Sequence, residues 1–132
     1  MNDVRDLAAL AQLAGLASGA AEARLALLTR KADDLRNRLA DLYAARRARA
    51  DAPDSLDTAM MAGADLRWHR WIDSRRSALN AELARAQVDI ARGREALRRA
   101  FGQKLAAEDL AARGRAQAQH RRERRAERDQ LS

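Results

Sequence analysis

One repeat constrains this chain more than any other feature. From Val4 to Leu42 a seam position returns at alternating steps of three and four residues, and only Ser18 among these positions is polar. Such spacing over more than five heptads is typical of a coiled-coil seam. The positions are Val4, Leu7, Ala11, Ala14, Ser18, Ala21, Leu25, Leu28, Ala32, Leu35, Leu39 and Leu42.

The single proline, Pro53, divides the chain. Proline lacks the amide donor and clashes inside a helix, so a helix is expected to end before it. Asp54 or Ser55 can cap a second helix, and Gly63 weakens helix in the stretch that leads into it. We predict one coiled-coil domain over residues 1–132, with helix one over about 3–50, a turn over about 51–63 and helix two over about 64–128.

A second apolar seam follows the turn, interrupted by Arg76 and Gly93. Phe101 and Leu105 come four residues apart after it, which predicts a local stutter that shifts the seam by about one residue. Two seams joined by one turn indicate an antiparallel helical hairpin. The second seam consists of Ile72, Leu79, Leu83, Ala86, Ile90 and Leu97.

A turn centred near residue 57 predicts which residues face each other. Leu35 then faces Leu79, and Phe101 faces the small Ala14. Helix two is longer than helix one, so the chain from about residue 112 extends past its partner. The predicted fold is all-α: a long antiparallel two-helix coiled-coil hairpin with an overhanging C-terminal helix.

No catalytic or metal-binding pattern is found in the sequence. There are no cysteines, and His69 and His120 are far apart with no metal-site spacing. Asp33 and Asp34 are adjacent, so on a helix they point to different sides and cannot work as a carboxylate pair. We therefore predict a protein that is not an enzyme and that binds no cofactor or metal.

The least polar segment, Leu7–Ala21, lacks the features of a targeting or membrane segment. Asp3 and Asp6 precede it, whereas a secretory signal begins with a positive region. Glu22 ends it after fifteen residues, short of a membrane span. We interpret it as a buried helical seam and expect a cytoplasmic protein without a transmembrane segment.

The C-terminal tail is strongly basic. Residues 113–129 hold seven arginines and three carboxylates within a chain of net charge +7. Three interpretations stay open: contact with nucleic acid phosphates, a solvated helix end favoured by the helix dipole, and contact with an acidic protein surface. The tail has no aromatic residue to stack on bases, so nucleic acid is the less favoured partner. The arginines are Arg113, Arg115, Arg121, Arg122, Arg124, Arg125 and Arg128.

Two further groups of side chains require an explanation. Trp68 and Trp71 lie three residues apart among arginines, either as core residues at the loop end or as a protein-binding anchor. Leu10, Leu13 and Leu16 fall outside the seam of helix one. A second apolar face implies a second partner, which can be another copy of the chain, its own tail or a different protein.

Residues 68–113, "WHRWIDSRRSALNAELARAQVDIARGREALRRAFGQKLAAEDLAAR", carry a family resemblance. An aromatic–aliphatic pair is followed by an aliphatic residue, a stretch that contains glutamine, a lysine, and a charged run that ends in an L-x-x-R segment. With the helical layout, this pattern resembles the FliJ/YscO family, the central-stalk proteins of flagellar and related type III export ATPases. The matching positions are Trp71–Ile72, Leu79, Gln87, Lys104 and Leu110–Arg113.

The resemblance implies a non-enzymatic stalk that binds an export ATPase hexamer and an export gate protein. Residues 3–25 and 95–128 would lie in the ATPase pore. The export gate would contact Trp68, Trp71, Ile72 and Arg75, and the ATPase ring would contact Leu10, Leu13, Leu16, Arg113, Arg115, Arg121, Arg122, Arg124 and Arg125. The alternatives are a basic coiled-coil protein associated with nucleic acid and a self-assembling structural rod.

Overall fold

The computed structural model describes residues 3–52 and 58–132, with side chains described for 3–52 and 62–132. It contains two α-helices that pack against each other, α1 (Val4–Ala50) and α2 (Thr58–Leu131), and the described residues form no strand. The predicted all-helical class is confirmed. Pro53, Asp54, Ser55 and Asp57, which carried the turn and capping predictions, lie outside the described residues.

The boundaries of α1 agree with the sequence pattern. Its first backbone bond runs from the Leu7 amide to the Asp3 carbonyl over 3.0 Å. At its end the Asp51 amide donates to the Arg47 carbonyl, and the Ala52 amide donates to the nearer Arg49 carbonyl over 3.3 Å. This tightened last turn follows the rule that helix ends satisfy some of their free carbonyls locally.

The second helix begins earlier than the pattern suggested. Residues 58–63, placed in the turn on sequence grounds, belong to α2. Gly63 lies inside the helix and has a φ value that any residue can adopt. A glycine lowers helix propensity by only about 1 kcal/mol, which 74 helical residues readily offset.

The chain divides into two compact units. The loop unit is Ala26–Ala91 and the terminal unit combines Met1–Leu25 with Arg92–Ser132. In the loop unit the buried side chains are large aliphatic residues and two alanines: Ala32, Leu35, Leu39, Ile72, Leu79, Ala86 and Ile90. In the terminal unit they are small: Ser18, Ala107 and Ala111.

Burial in α1 follows the predicted seam throughout. All twelve three-four positions from Val4 to Leu42 are buried or half-buried. Ser18 is 3% exposed although it is polar. The seam spacing in this helix is therefore confirmed as the pattern that determines which side chains are covered.

The predicted stutter in α2 is wrong. Phe101 is 45% exposed and Leu105 is 50% exposed, so neither enters the seam, and Phe101 does not fill the space beside Ala14. The seam keeps its three-four spacing beyond Leu97 and passes through small residues and Lys104 instead. The covered positions there are Ala100, Lys104, Ala107, Ala111, Gly114 and Ala118.

Contacts in the terminal unit extend further along α2 than a turn centred on residue 57 predicts. The side chain of Leu7 lies so close to Gly114 that a Cβ atom there would come within 2.6 Å of the Leu7 Cδ1. A turn centred near residue 57 predicts instead that Leu7 faces residue 107. Gly114 has no side chain, so Leu7 can approach the α2 backbone there. The covered positions of α2 continue as far as Ala118.

Candidate partner-binding surfaces

The two tryptophans have different environments. Trp71 is 57% exposed, and Arg67 and Arg75, one turn to either side of it, are also exposed. Within the described part of the chain, neither arginine lies within ion-pair distance of a carboxylate. We call Trp71, Arg67 and Arg75 the tryptophan patch; it combines the two residue types most enriched at protein-binding hot spots.

Trp68 is half-buried and belongs to a cluster that links the two helices of the loop unit. The guanidinium carbon of Arg49 lies 4.4 Å from the Trp68 ring centroid, and the Arg49 Nε donates to the Asp65 Oδ1 over 2.8 Å. His69 meets the Trp68 ring edge-on at 5.2 Å between centroids. Trp68 therefore has a structural role at the loop end, consistent with the core interpretation for one tryptophan.

Ile72 does not belong to the exposed surface. It is 2% exposed and lies in the α2 seam, because its position is four residues from the half-buried Trp68. The resemblance implied an export-gate contact for Ile72 beside Trp71. In this structure the Ile72 side chain is buried and is not available at the surface, whereas Trp71 is exposed.

A row of leucines lies on the outside of α1 in the terminal unit. Leu10, Leu13 and Leu16 are 49%, 63% and 66% exposed. Their predicted direction, away from the seam, is confirmed. On α2 the same unit also exposes large apolar residues that the sequence reasoning did not identify as surface: Phe101, Leu105 and Leu110.

The tail arginines fall into two groups. The Arg113 Nε pairs with the Asp109 Oδ2 over 3.1 Å on the surface, as an (i, i+4) pair. The remaining arginines form no ion pair within the described residues. Four of them line a cleft of about 380 Å³ together with Val4 and Ala118: Arg115, Arg121, Arg122 and Arg125.

The cleft is the feature that sequence reasoning missed. It requires Val4, at the start of α1, to lie beside Ala118 and the arginines of α2. Nothing in the local sequence at Val4 signals this proximity. The signal that was available is the three-four spacing of covered positions, most of them alanine or glycine, which continues up to Ala118.

Other kinds of site are not found in the described residues. No group of three metal-ligating side chains comes together in the described ranges. None of the described helices combines the length and apolarity needed to cross a bilayer. Comparison with protein-family models, curated proteins and solved structures found no match.

Proposed function

We propose that this protein is a non-enzymatic stalk or adaptor subunit of a flagellar or type III protein-export ATPase complex. The observation that carries the proposal is the tryptophan patch: Trp71 is exposed between Arg67 and Arg75 at the position that resembles the partner contact of FliJ/YscO proteins. A large aromatic ring is costly to leave in water, so a partner that covers it gains substantial affinity.

The stalk proposal requires an antiparallel pairing of the two helices within each unit. In the loop unit, the contacts of Arg49 with Asp65 and Trp68 support this pairing, because they join the end of α1 to the beginning of α2. In the terminal unit, the contact of Leu7 with Gly114 supports it in the same way. Residues 119–132 are exposed and form the overhang of the proposal.

Each surface has a separate role in this proposal. The tryptophan patch binds the export gate protein. The leucine row and the tail arginines bind the ATPase ring, where leucines supply apolar area and arginines pair with carboxylates. The complex acts in the cytoplasm, at the surface of a membrane-embedded export apparatus.

The test is affinity purification of the tagged full-length chain from its own source, followed by mass spectrometry. Trp71→Ala is compared with Val88→Ala, which also removes an exposed apolar side chain from α2 in the loop unit; Val88 is 50% exposed. We expect the wild type and Val88→Ala to recover an export ATPase and a gate component. Trp71→Ala is expected to lose the gate component and retain the ATPase.

Three results would contradict the proposal. Recovery of nucleic acid alone would favour the nucleic-acid alternative, and recovery of the chain alone would favour the self-assembling rod. Equal recovery of the gate component by Trp71→Ala would show that the tryptophan patch is not its binding site. Circular dichroism of both variants checks that they remain helical.

A further inference from the structure

The arginine-lined cleft of the terminal unit has a composition that suits a small anion. Arg115, Arg121, Arg122 and Arg125 line it, and the side chains that line it include no carboxylate. Arg115, Arg122 and Arg125 share one face of α2 with Ala118, and they span about 15 Å along the helix. The cleft therefore concentrates positive charge on one side of the helix.

The cleft arginines form no ion pairs with the described carboxylates. Among the described residues none of the four arginines has a carboxylate within 4.0 Å, whereas Arg113 nearby is paired with Asp109. Glu123 accepts a hydrogen bond from the Gln119 Nε2 over 3.2 Å instead. The four guanidinium groups lie beside one cleft and repel each other, because they have no ion-pair partners among the described residues. A bound anion reduces that repulsion.

The start of α1 adds to the same potential. The helix begins at Val4, whose side chain lines the cleft. The first amides of a helix have no intrahelical acceptor and carry partial positive charge. Asp6 in the first turn opposes this effect, but it does not line the cleft.

The volume of the cleft and the residues that line it indicate which kind of anion would fit. A volume of about 380 Å³ fits a compact ligand, near the lower end of small-molecule sites. Val4 and Ala118 provide little apolar area for a protein segment, and no aromatic side chain is present for a nucleobase. Arginine forks bind phosphate oxygens in pairs, so several arginines around one cleft match a chain of phosphates.

We propose that this cleft binds the phosphate chain of a compact oligophosphate, either free or as part of a nucleoside triphosphate. The arginines donate to the phosphate oxygens, and the wall formed by Val4 and Ala118 limits the space to the phosphates. The site uses arginines that the stalk proposal assigns to the ATPase ring, but its test needs neither an export ATPase nor an export gate, so the two proposals can fail separately.

The test is calorimetric titration of the full-length protein with inorganic tripolyphosphate and, separately, with ATP. The variant Arg121→Gln, Arg122→Gln, Arg125→Gln removes three lining arginines. Its matched control, Arg85→Gln, Arg92→Gln, Arg99→Gln, removes the same charge from exposed positions of α2 outside the cleft. We expect the cleft variant to raise the dissociation constant for tripolyphosphate by about tenfold or more, and the control by less than about threefold.

A second variant, Val4→Glu, keeps every arginine and places a carboxylate at the cleft. We expect it to weaken tripolyphosphate binding by about tenfold as well, because the carboxylate competes for the arginines. Raising the salt from about 50 to about 200 mM should weaken binding to the wild type in both titrations. Circular dichroism confirms that each variant keeps its helix content.

The two ligands distinguish the source of the phosphates. Equal dissociation constants for tripolyphosphate and ATP would show that the site takes the phosphate chain from either source. Much weaker binding of ATP would assign the site to free oligophosphate. Either result supports the proposal.

Three results would overturn it. The first is no tripolyphosphate binding at low salt. The second is an equal loss in the control variant, which would indicate diffuse attraction to the whole basic helix. The third is equally tight binding of a glutamate peptide of the same charge, which would assign the cleft to an acidic protein segment.

Discussion

The loop unit and the terminal unit differ in the size of the side chains that they bury. In the loop unit Leu35, Leu39, Ile72 and Leu79 lie in the seam and are 8% exposed or less. In the terminal unit the fully buried residues are small, Ser18, Ala107 and Ala111, while the leucines of the seam are only half-buried and Phe101 is exposed. The loop unit therefore buries large side chains in its core, whereas the terminal unit buries small ones and leaves several large apolar side chains exposed.

The difference has a physical basis in side-chain size. Burial of a leucine or isoleucine side chain contributes roughly 1.5–3 kcal/mol, whereas alanine contributes much less. Small seam residues such as Ala107 and Ala111 allow helices to pack closely but bury little area. Five mutational predictions test this contrast.

The largest effect is expected in the loop seam. Leu79 is 1% exposed, and Leu79→Ala should lower the free energy of unfolding by about 2–5 kcal/mol, because it removes buried methyl groups and leaves a cavity. Leu131→Ala, at a position that is 89% exposed, should change it by less than about 0.5 kcal/mol. Urea unfolding monitored by circular dichroism measures both, and equal values would contradict the core assignment.

Enlargement of the terminal seam should have the next largest effect. Ala107 is 5% exposed, so Ala107→Leu should destabilise the protein by about 1–3 kcal/mol through overpacking. Its exposed neighbour provides the control, since Ala106→Leu adds the same side chain outside the seam. A stabilising Ala107→Leu would mean that the small seam contains unfilled space. Urea unfolding provides the comparison.

The cluster at the loop end should contribute about 1 kcal/mol. Arg49→Ala removes the ion pair with Asp65 and the cation–π contact with Trp68, both partly buried. Arg36→Ala removes only an exposed pair with Asp33 and should change stability by less than about 0.5 kcal/mol. Unfolding followed by tryptophan fluorescence measures both variants, and an equal effect would indicate that the cluster adds nothing.

Replacement of glycines in the terminal unit should increase stability by a smaller amount. A Cβ atom at Gly102 would meet nothing within 4 Å, so Gly102→Ala should stabilise the helix by about 0.5–1 kcal/mol. At Gly114 the new Cβ would press on the tip of Leu7, so Gly114→Ala should gain less. Thermal unfolding ranks the two variants, and a larger gain at Gly114 would contradict the close contact.

The smallest effect is expected at Phe101 and tests whether the α2 seam continues without a stutter. Phe101→Ser should change the free energy of unfolding by less than about 0.5 kcal/mol, because Phe101 is exposed. Leu97→Ser, four residues earlier at a covered position, should destabilise the protein by more than about 1 kcal/mol. If Phe101→Ser were the more damaging of the two, the stutter would be present after all.

Much of the fold was predictable because spacing determines burial on a helix. The positions from Val4 to Leu42 are covered whether they hold leucine, alanine or serine, since the three-four step fixes the face they share. The prediction was wrong at Phe101 and Leu105, where side-chain size was given more weight than spacing. In an alanine-rich chain Ala107 and Ala111 carry little signal, although they are the buried residues.

The candidate surfaces were predictable to a smaller extent. The exposure of Leu10, Leu13 and Leu16 follows from their positions outside the seam. The separate environments of Trp68 and Trp71 depend on Arg49, which approaches from the other helix. The arginine cleft likewise depends on Val4 and Ala118, which are far apart in sequence. Contacts between distant segments of this kind cannot be inferred from local composition.

Hydrogen exchange of the full-length protein, resolved by residue, tests the contrast between the units most directly. The large aliphatic seam predicts slower amide exchange in the covered parts of 26–50 and 64–91 than in 4–25 and 92–118. Faster amide exchange in the terminal unit is the predicted result, because the residues that it buries fully are small. Equal exchange in both units, or slower exchange in the terminal unit, would contradict the account.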